Sequence, residues 1–294
     1  MRLLVTGGSS FVGASFCRVA ARDHEVIAVY NRTPVALRGI RGLQVDLGSP
    51  QAAVRLAQVQ ADAIVHTACK VKGTGDGGQQ TDSMRLNRRM MDAVLALGLP
   101  IVYASSTCVH WDRPSGYALG RRDDELRLRD SGVPWAVVRP CAPYGPRLAR
   151  HKPSHKESFH TLADLVRRSP LVPVIGNGRY LRQPIHVDDL SAAILSLLER
   201  GLPGTAFDAG GRDAISFRDI VATCAQHLGV RRRVLPMPKR ALIKVLSLSP
   251  DFEADLLDTA DTDDVADPRA LAEFTGRLPR SFRAGVADLY GPAR

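Results

Sequence analysis

The segment with the plainest chemical meaning is Thr6-Gly7-Gly8-Ser9-Ser10-Phe11-Val12-Gly13, set between the apolar run Leu3-Leu4-Val5 and a helical pattern that begins at Phe11. A turn from strand into helix presents unpaired backbone N–H groups and the positive end of a helix dipole, which suits a pyrophosphate. Gly7 permits the tight turn, and Gly13 lets the helix pack closely on the sheet. The middle position of the G-x-x-G-x-x-G spacing is Ser10, whose Cβ restricts backbone approach and whose hydroxyl can itself bond a phosphate. The loop therefore reads as a dinucleotide site, with Gly7, Ser9, Ser10, Phe11, Val12 and Gly13 as contacts. The tip of the second apolar run, Tyr30-Asn31-Arg32, carries no acid. A carboxylate there would bind the adenosine ribose hydroxyls, whereas an Arg pairs with a 2′-phosphate. Asn31 and Arg32 thus point to NADP(H), with NAD(H) as the alternative.

The elements that must hold this loop follow from an alternation of short apolar runs and helical segments, the pattern of a Rossmann-type doubly wound parallel sheet in an α/β protein. Strands are expected at Leu3–Val5, Val26–Val29, Leu43–Val45, Ala63–Val65, Ile101–Tyr103 and Trp135–Val138. Helices are expected near 11–21, 51–58, 81–97 and 117–130. Beyond Arg139-Pro140 the pattern changes, and 144–153 reads as a loop crossing into a smaller α/β C-terminal lobe. A helix then follows His186, with strands at Ala206–Asp208 and Arg233–Leu235. The expected organisation is a dinucleotide-binding domain over 1–143, to which 183–208 returns, and a substrate lobe over 144–182 and 209–294.

Composition bounds the partners. The 294 residues suit one large domain with a second lobe, and 45% hydrophobic content against 24% charged rules out global disorder. A net charge of +10 favours an anionic partner or substrate. The basic residues come in short clusters (Arg121-Arg122, Arg167-Arg168, Arg231-Arg232-Arg233) without RNP-type aromatics or zinc-finger spacing, which argues against dedicated nucleic-acid binding. No apolar run reaches the ~18 residues of a membrane span, so no membrane partner is expected and the location is read as cytoplasmic. Cys17, Cys69, Cys108, Cys141 and Cys224 form no C-x-x-C pair and read as reduced thiols. His151, His155 and His160 sit in a basic stretch whose one carboxylate is Glu157, so no metal is expected.

Further segments carry a resemblance. They are Asp46-Leu47, Val65-His66-Thr67-Ala68, Asn87, Arg139-Pro140 followed by Tyr144-Gly145-Pro146, Gly176-Asn177-Gly178, Arg182 and His186-Val187-Asp188-Asp189. Together they are similar to the NAD-dependent epimerase/dehydratase family, the extended short-chain dehydrogenases/reductases, over almost the full length. The resemblance implies that Asp46 and Leu47 contact the adenine, and that Thr67, Ala68 and Pro140 line the cofactor. It implies a Ser hydroxyl at Ser106, with Thr107 beside it, that orients a substrate carbonyl. A Tyr at Tyr117 would exchange the proton while hydride moves at nicotinamide C4. The family's Y-x-x-x-K lysine, which binds the nicotinamide ribose and lowers the Tyr pKa, is replaced by Arg121, with Glu125 one turn on. An Arg keeps the charge and the donors but cannot relay a proton near neutral pH. The 117 − 106 = 11 positions from Ser to Tyr are fewer than in typical sugar-nucleotide enzymes. Arg182 aligns with an Arg placed on a diphosphate.

The implied function is an NADP(H)-dependent oxidoreductase of the epimerase, dehydratase or reductase type. It would act on a carbonyl or hydroxyl of a small, anionic molecule such as a nucleotide-sugar. The family's homodimer would form through the helices ending near Leu97 and starting at Tyr117. The alternatives are an NADPH-holding structural or assembly protein with little catalysis, and an RNA-binding protein on the same fold.

Overall fold

The structure, a computed structural model, describes residues 1–70, 82–112, 114–148, 157–246 and 261–291. The chain opens with β1 (Arg2–Thr6), α1 (Phe11–Ala20), β2 (Glu25–Tyr30), β3 (Arg41–Gln44), α2 (Ala52–Ala57) and β4 (Ala63–His66). It continues through α3 (Asp82–Leu95), β5 (Ile101–Ala104), a 3-10 turn at Thr107–His110, α4 (Gly116–Arg129) and β6 (Trp135–Pro140). Next come α5 (Ser158–Arg168), β7 (Leu171–Ile175), β8 (Leu181–Arg182), α6 (Val187–Arg200), β9 (Thr205–Ala209), β10 (Ile215–Ser216) and α7 (Phe217–His227). The last elements are β11 (Arg233–Met237), α8 (Lys239–Leu246), α9 (Arg269–Thr275), α10 (Phe282–Gly285) and a 3-10 turn at Val286–Leu289.

Seven parallel strands form the central sheet in the order β3-β2-β1-β4-β5-β6-β9. Both faces are covered over the middle of the sheet, so β1, β2, β4 and β5 are largely apolar and alternate residues feed opposite cores, while edge strand β3 is mostly exposed. Leu3, Val5, Val26, Ala28, Val65 and Val138 join Phe16, Leu190, Ile194, Leu197 and Leu271 beneath α1, α6 and α9. Leu4, Ile27, Val29, Ile64, Ile101 and Val137 join Leu56, Met91, Val94 and Leu128 beneath α2, α3 and α4. The seventh strand, β9, reaches the sheet only after α5, β7, β8 and α6 have been laid down. The second lobe packs Tyr144, Phe159, Val166, Val172, Ile220 and Phe282 around two small sheets, β8 with β10 and β7 with β11.

The expected strands and helices of the first half all occur, displaced by a residue or two at their ends. The sequence reading assigns no element to 158–175, where α5 and β7 lie.

At the end of β4 the His66 ring is buried. Its Nδ1 lies 2.6 Å from Thr6 Oγ1, and the ring stacks on Tyr103 at 5.5 Å. Burial, helped by the charge of Arg121, lowers its pKa from an ordinary 6.5 to about 3.

Two outcomes follow. Leu190 is fully buried between α6 and the sheet, so Leu190→Ala should cost about 2–5 kcal/mol in urea unfolding. Between pH 6.5 and 3 the unfolded chain binds a proton at His66 that the native chain refuses. Stability should therefore rise with pH across that window and be lost on acidification. In His66→Gln the unfolding midpoint, followed by circular dichroism, should depend less steeply on pH over the same range.

Candidate active site

The strand order reverses between β1 and β4, which leaves a crevice at their carboxyl ends, where Thr6 is the ladder partner of His66. Gly7 turns there with φ +70°, and a Cβ on it would sit 2.6 Å from Ala68 N. At Gly13 a Cβ would strike the Gly7 carbonyl and lie 2.6 Å from Thr67 Oγ1. Thr67 Oγ1 in turn donates to the Thr6 carbonyl at 2.8 Å. The glycine loop and the segment after β4 are thus in backbone contact. Ser10 caps α1, its Oγ accepting from Gly13 N at 3.0 Å, with φ −75° and ψ 164°. That backbone is extended, so a serine here costs no strain. Its oxygen accepts from the helix, while its O–H remains a donor of the kind the sequence reading offered to a phosphate. The N–H groups of Phe11 and Val12, in the first turn, have no intrahelical acceptor, the arrangement that suits an anion. The buried Phe11 ring meets His160 of α5 edge-on at 5.0 Å, so the loop touches the second lobe.

Beyond β2, Asn31 and Arg32 are exposed, and Gln44 Nε2 donates to the Asn31 carbonyl at 2.9 Å, tying this tip to β3. The sequence has no carboxylate between Val26 and Val45. Asp46 follows as an exposed side chain whose Oδ1 accepts from Gly48 N at 3.0 Å, and Leu47 is buried beside it. Asn87 on α3 braces the segment after β4, exchanging hydrogen bonds with the backbone of Lys70 at 2.7 and 3.0 Å.

β5 delivers Ser105, Ser106 and Thr107. Ser105 Oγ donates to Glu125 Oε1 at 2.5 Å, while half-buried Ser106 accepts from Cys108 N at 3.3 Å and Thr107 is buried. Tyr117 stands in the first turn of α4, which Ser115 caps by accepting from Ala118 N. α4 packs against the 3-10 turn at Thr107–His110, with Arg122 Nε donating to the Val109 carbonyl at 2.7 Å, which sets the Ser106 and Tyr117 segments at one corner.

Arg121, one helical turn on, is buried, with its guanidinium carbon 5.0 Å from the Tyr117 ring centre and 5.3 Å from that of Tyr103. Its Nη1 donates to Tyr103 Oη at 2.6 Å and to the Ala104 carbonyl at 3.2 Å, while Tyr103 Oη donates to Asp124 Oδ2 at 2.8 Å. Arg121 Nε is buried without a partner among the described residues. Burial raises the Tyr117 phenol above its ordinary value, and the Arg121 charge opposes that rise. Tyr103 and Asp124 were not read from the sequence as partners of Arg121. The available signal was the i, i+3 spacing of Arg121 and Asp124 on one helical face.

A second network braces this corner. Arg139 on β6 donates to both Glu125 oxygens, the shorter bond 2.6 Å, and approaches Asp208 of β9 at 3.4 Å. His110 Nε2 lies 2.9 Å from the same Asp208. Pro140 is buried at the end of β6, and Ala142 just beyond it holds φ +44°, a sparsely populated conformation for a residue with a Cβ.

In the second lobe Arg182 donates from Nη1 to the carbonyls of Leu181 at 2.7 Å and Thr262 at 2.6 Å, with its guanidinium 4.8 Å from the Tyr180 ring centre. The residue is thus anchored where β8 adjoins Asp264, and a cleft of about 450 Å³ opens beside it, bounded by Asn177, Arg179, Tyr180, Lys239 and Asp263. His151 and His155 lie outside the described residues. Among the described residues no group of three His, Cys, Asp or Glu could hold a metal ion, and no helix is long and apolar enough to cross a membrane.

A cradle that any Cβ would fill, free first-turn amides and a buried guanidinium nitrogen awaiting an acceptor all fit a nicotinamide dinucleotide. Known proteins agree. The model of the NAD dependent epimerase/dehydratase family matches residues 3–116 and 125–210. A ceramide reductase of Caulobacter vibrioides is 26% identical, the match covering 81% of this chain and 74% of the relative. A dTDP-glucose 4,6-dehydratase of Mycolicibacterium smegmatis is 27% identical, over 98% of this chain and 92% of the relative. The crystal structure of UDP-glucuronic acid 4-epimerase from Bacillus cereus, in complex with UDP-glucuronic acid and NAD, superposes with a TM-score of 0.76 at 16% identity, covering 99% of this chain and 98% of that one. The chain belongs to the NAD-dependent epimerase/dehydratase family and is an enzyme of the extended short-chain dehydrogenase/reductase type.

Proposed function

We propose that the protein is an NADP(H)-dependent oxidoreductase that reduces or epimerises a small molecule at a carbonyl or hydroxyl carbon. The observation that carries this reading is the juxtaposition of the glycine loop with a β2 tip that bears Arg32 and no carboxylate. Gly7, Ser9, Ser10, Phe11, Val12 and Gly13 would hold the pyrophosphate, Asn31 and Arg32 the 2′-phosphate, and Asp46 and Leu47 the adenine. Thr67, Ala68, Pro140 and Arg121 would border the nicotinamide half. When bound, the coenzyme supplies a hydride donor or acceptor at its C4.

The chain's own residues supply the rest. The Ser106 hydroxyl, with Thr107 behind it, orients the substrate carbonyl. Tyr117 holds a proton on its phenol, and because burial raises its pKa the group rests protonated and ready to donate, as carbonyl reduction requires. Arg121 stabilises negative charge as it develops on that phenol. In the second lobe, taken as 144–182 and 209–294, Arg182 is the proposed contact to an anionic substrate. Relatives are named for ceramide, 2-alkyl-3-oxoalkanoates and dTDP-sugars, so a ketone on a long-chain lipid and a nucleotide-sugar are the two substrate classes to test. α3 and α4, which pack side by side with Asp92 paired to Arg127, would form a dimer face.

One observation favours a second reading, a coenzyme-holding protein with little turnover. Arg121 Nη1 is committed to Tyr103 and Ala104, and a guanidinium cannot pass a proton on.

NADP(H) should bind more tightly than NAD(H) by titration calorimetry, and Arg32→Ala should weaken NADP(H) about tenfold while leaving NAD(H) unchanged, as expected for about 1.4 kcal/mol of lost phosphate pairing. Tighter binding of NAD(H) by the native chain refutes the assignment. Tyr117→Phe should abolish turnover and keep coenzyme affinity. Tight NADPH binding without redox activity toward sugar nucleotides or ketones would select the second reading.

A further inference from the structure

At its Leu171 end the β7–β11 sheet presents one face to the core and the other to solvent, while Ile175 at the far end of that outer face is buried. Its parallel register pairs Arg233 with Leu171 and Leu235 with Pro173, which sets these four residues on one face. Val172 and Val234 turn the other way, into the core around Tyr144. On the outward face Leu171 is 46% exposed and Leu235 is 42% exposed.

An arginine cluster borders these leucines, drawn from the end of α5 and from the approach to β11. Arg233 N donates to the Pro170 carbonyl at 2.9 Å, Arg232 Nε to the Val166 carbonyl at 2.5 Å, and Arg232 Nη2 to the Arg167 carbonyl at 3.0 Å. Arg232 is thereby used as a cap on the last turn of α5, where a cation also meets the negative end of the helix. Arg167 rests on Tyr290, 5.1 Å from the ring centre. Arg168, Arg231 and Arg233 are exposed, and among the described residues none of them forms an ion pair with a carboxylate. The fold thus gathers cations around two exposed aliphatic side chains.

We propose that this face docks the protein on a membrane surface rich in anionic lipid, with Arg168, Arg231 and Arg233 at the headgroups and Leu171 and Leu235 entering the interface. Each basic residue near such a surface contributes on the order of 1 kcal/mol, and buried apolar area adds to it. The attachment is peripheral and needs no spanning helix, so an absence of long apolar runs has no bearing on it. A single-stranded nucleic acid, the other large polyanion, is gripped by aromatic stacking platforms as well as by charge. Here the exposed apolar groups are aliphatic, and the nearby Tyr290 ring is already packed against Arg167 and His227.

The test uses the full chain in vesicle flotation at low salt and measures no catalysis, so it stands or falls apart from the oxidoreductase reading. Binding is expected to vesicles of roughly equal phosphatidylcholine and phosphatidylglycerol, and not to phosphatidylcholine alone. The double variant Leu171→Ser, Leu235→Ser should bind about tenfold more weakly although its charge is unchanged. The triple variant Arg168→Gln, Arg231→Gln, Arg233→Gln should lose binding at least to that extent. Thermal unfolding midpoints near the native value certify that the variants are folded, and single substitutions replace any combination that fails this check. No binding of the native chain to anionic vesicles overturns the proposal. So does leucine-independent binding, and so does a single-stranded RNA that binds the native chain more tightly than the vesicles and displaces it from them.

Discussion

The constraint on which the site depends is the absence of space between the first turn of the chain and the backbone after β4. Gly7 and Gly13 face Thr67 and Ala68 so closely that neither can carry a side chain. That contact sets the distance of α1 from the sheet and aims its first amides at the crevice. It is available because the strand order reverses between β1 and β4, which parts the helices on either side and leaves the carboxyl ends of the two strands open. Ser10 is tolerated at the middle position because its backbone is extended and its hydroxyl caps the helix that the glycines position.

Charge organises the other wall. One network runs from Ser105 through Glu125 and Arg139 to Asp208 and His110, and joins α4 to the ends of β5, β6 and β9. A second joins Arg121, Tyr103 and Asp124 beneath the Tyr117 ring. Each buried charge has an opposite charge or a hydroxyl within hydrogen-bond reach, which its desolvation requires. Arg121 is in this sense a structural cation of the corner. A single nitrogen, Nη1, bridges the Tyr103 phenol and the Ala104 carbonyl.

Much of this was legible in the residues. A parallel sheet covered on both faces produces unbroken apolar runs such as Leu3-Leu4-Val5 and Ala63-Ile64-Val65, and these stand out without any alignment. The glycine loop was legible for the same reason, since its chemistry is local. The second lobe was harder. Phe159, Leu162, Ala163 and Val166 have helical spacing, yet α5 begins straight after residues that read as loop. β7 carries Pro173 in its middle, which counts against a strand. Long-range partners were beyond reach. Nothing local joins Arg139 to Asp208, or Tyr103 to Asp124, because the fold brings together segments far apart in the chain. Arg232 looked like one more surface cation in a run of three, and only the fold shows it closing the end of α5.

The late arrival of β9 bears on how the polypeptide is made. As the chain leaves the ribosome, β6 is complete long before Thr205–Ala209 can pair with it. Until then Trp135–Pro140 is an open, hydrophobic sheet margin with unsatisfied backbone groups, a template for wrong partners. A fragment cut at the first lobe boundary would keep that margin permanently. Sticky, poorly soluble fragments are thus the natural product of early termination, and nascent chains need shielding for the interval in which some sixty residues are added.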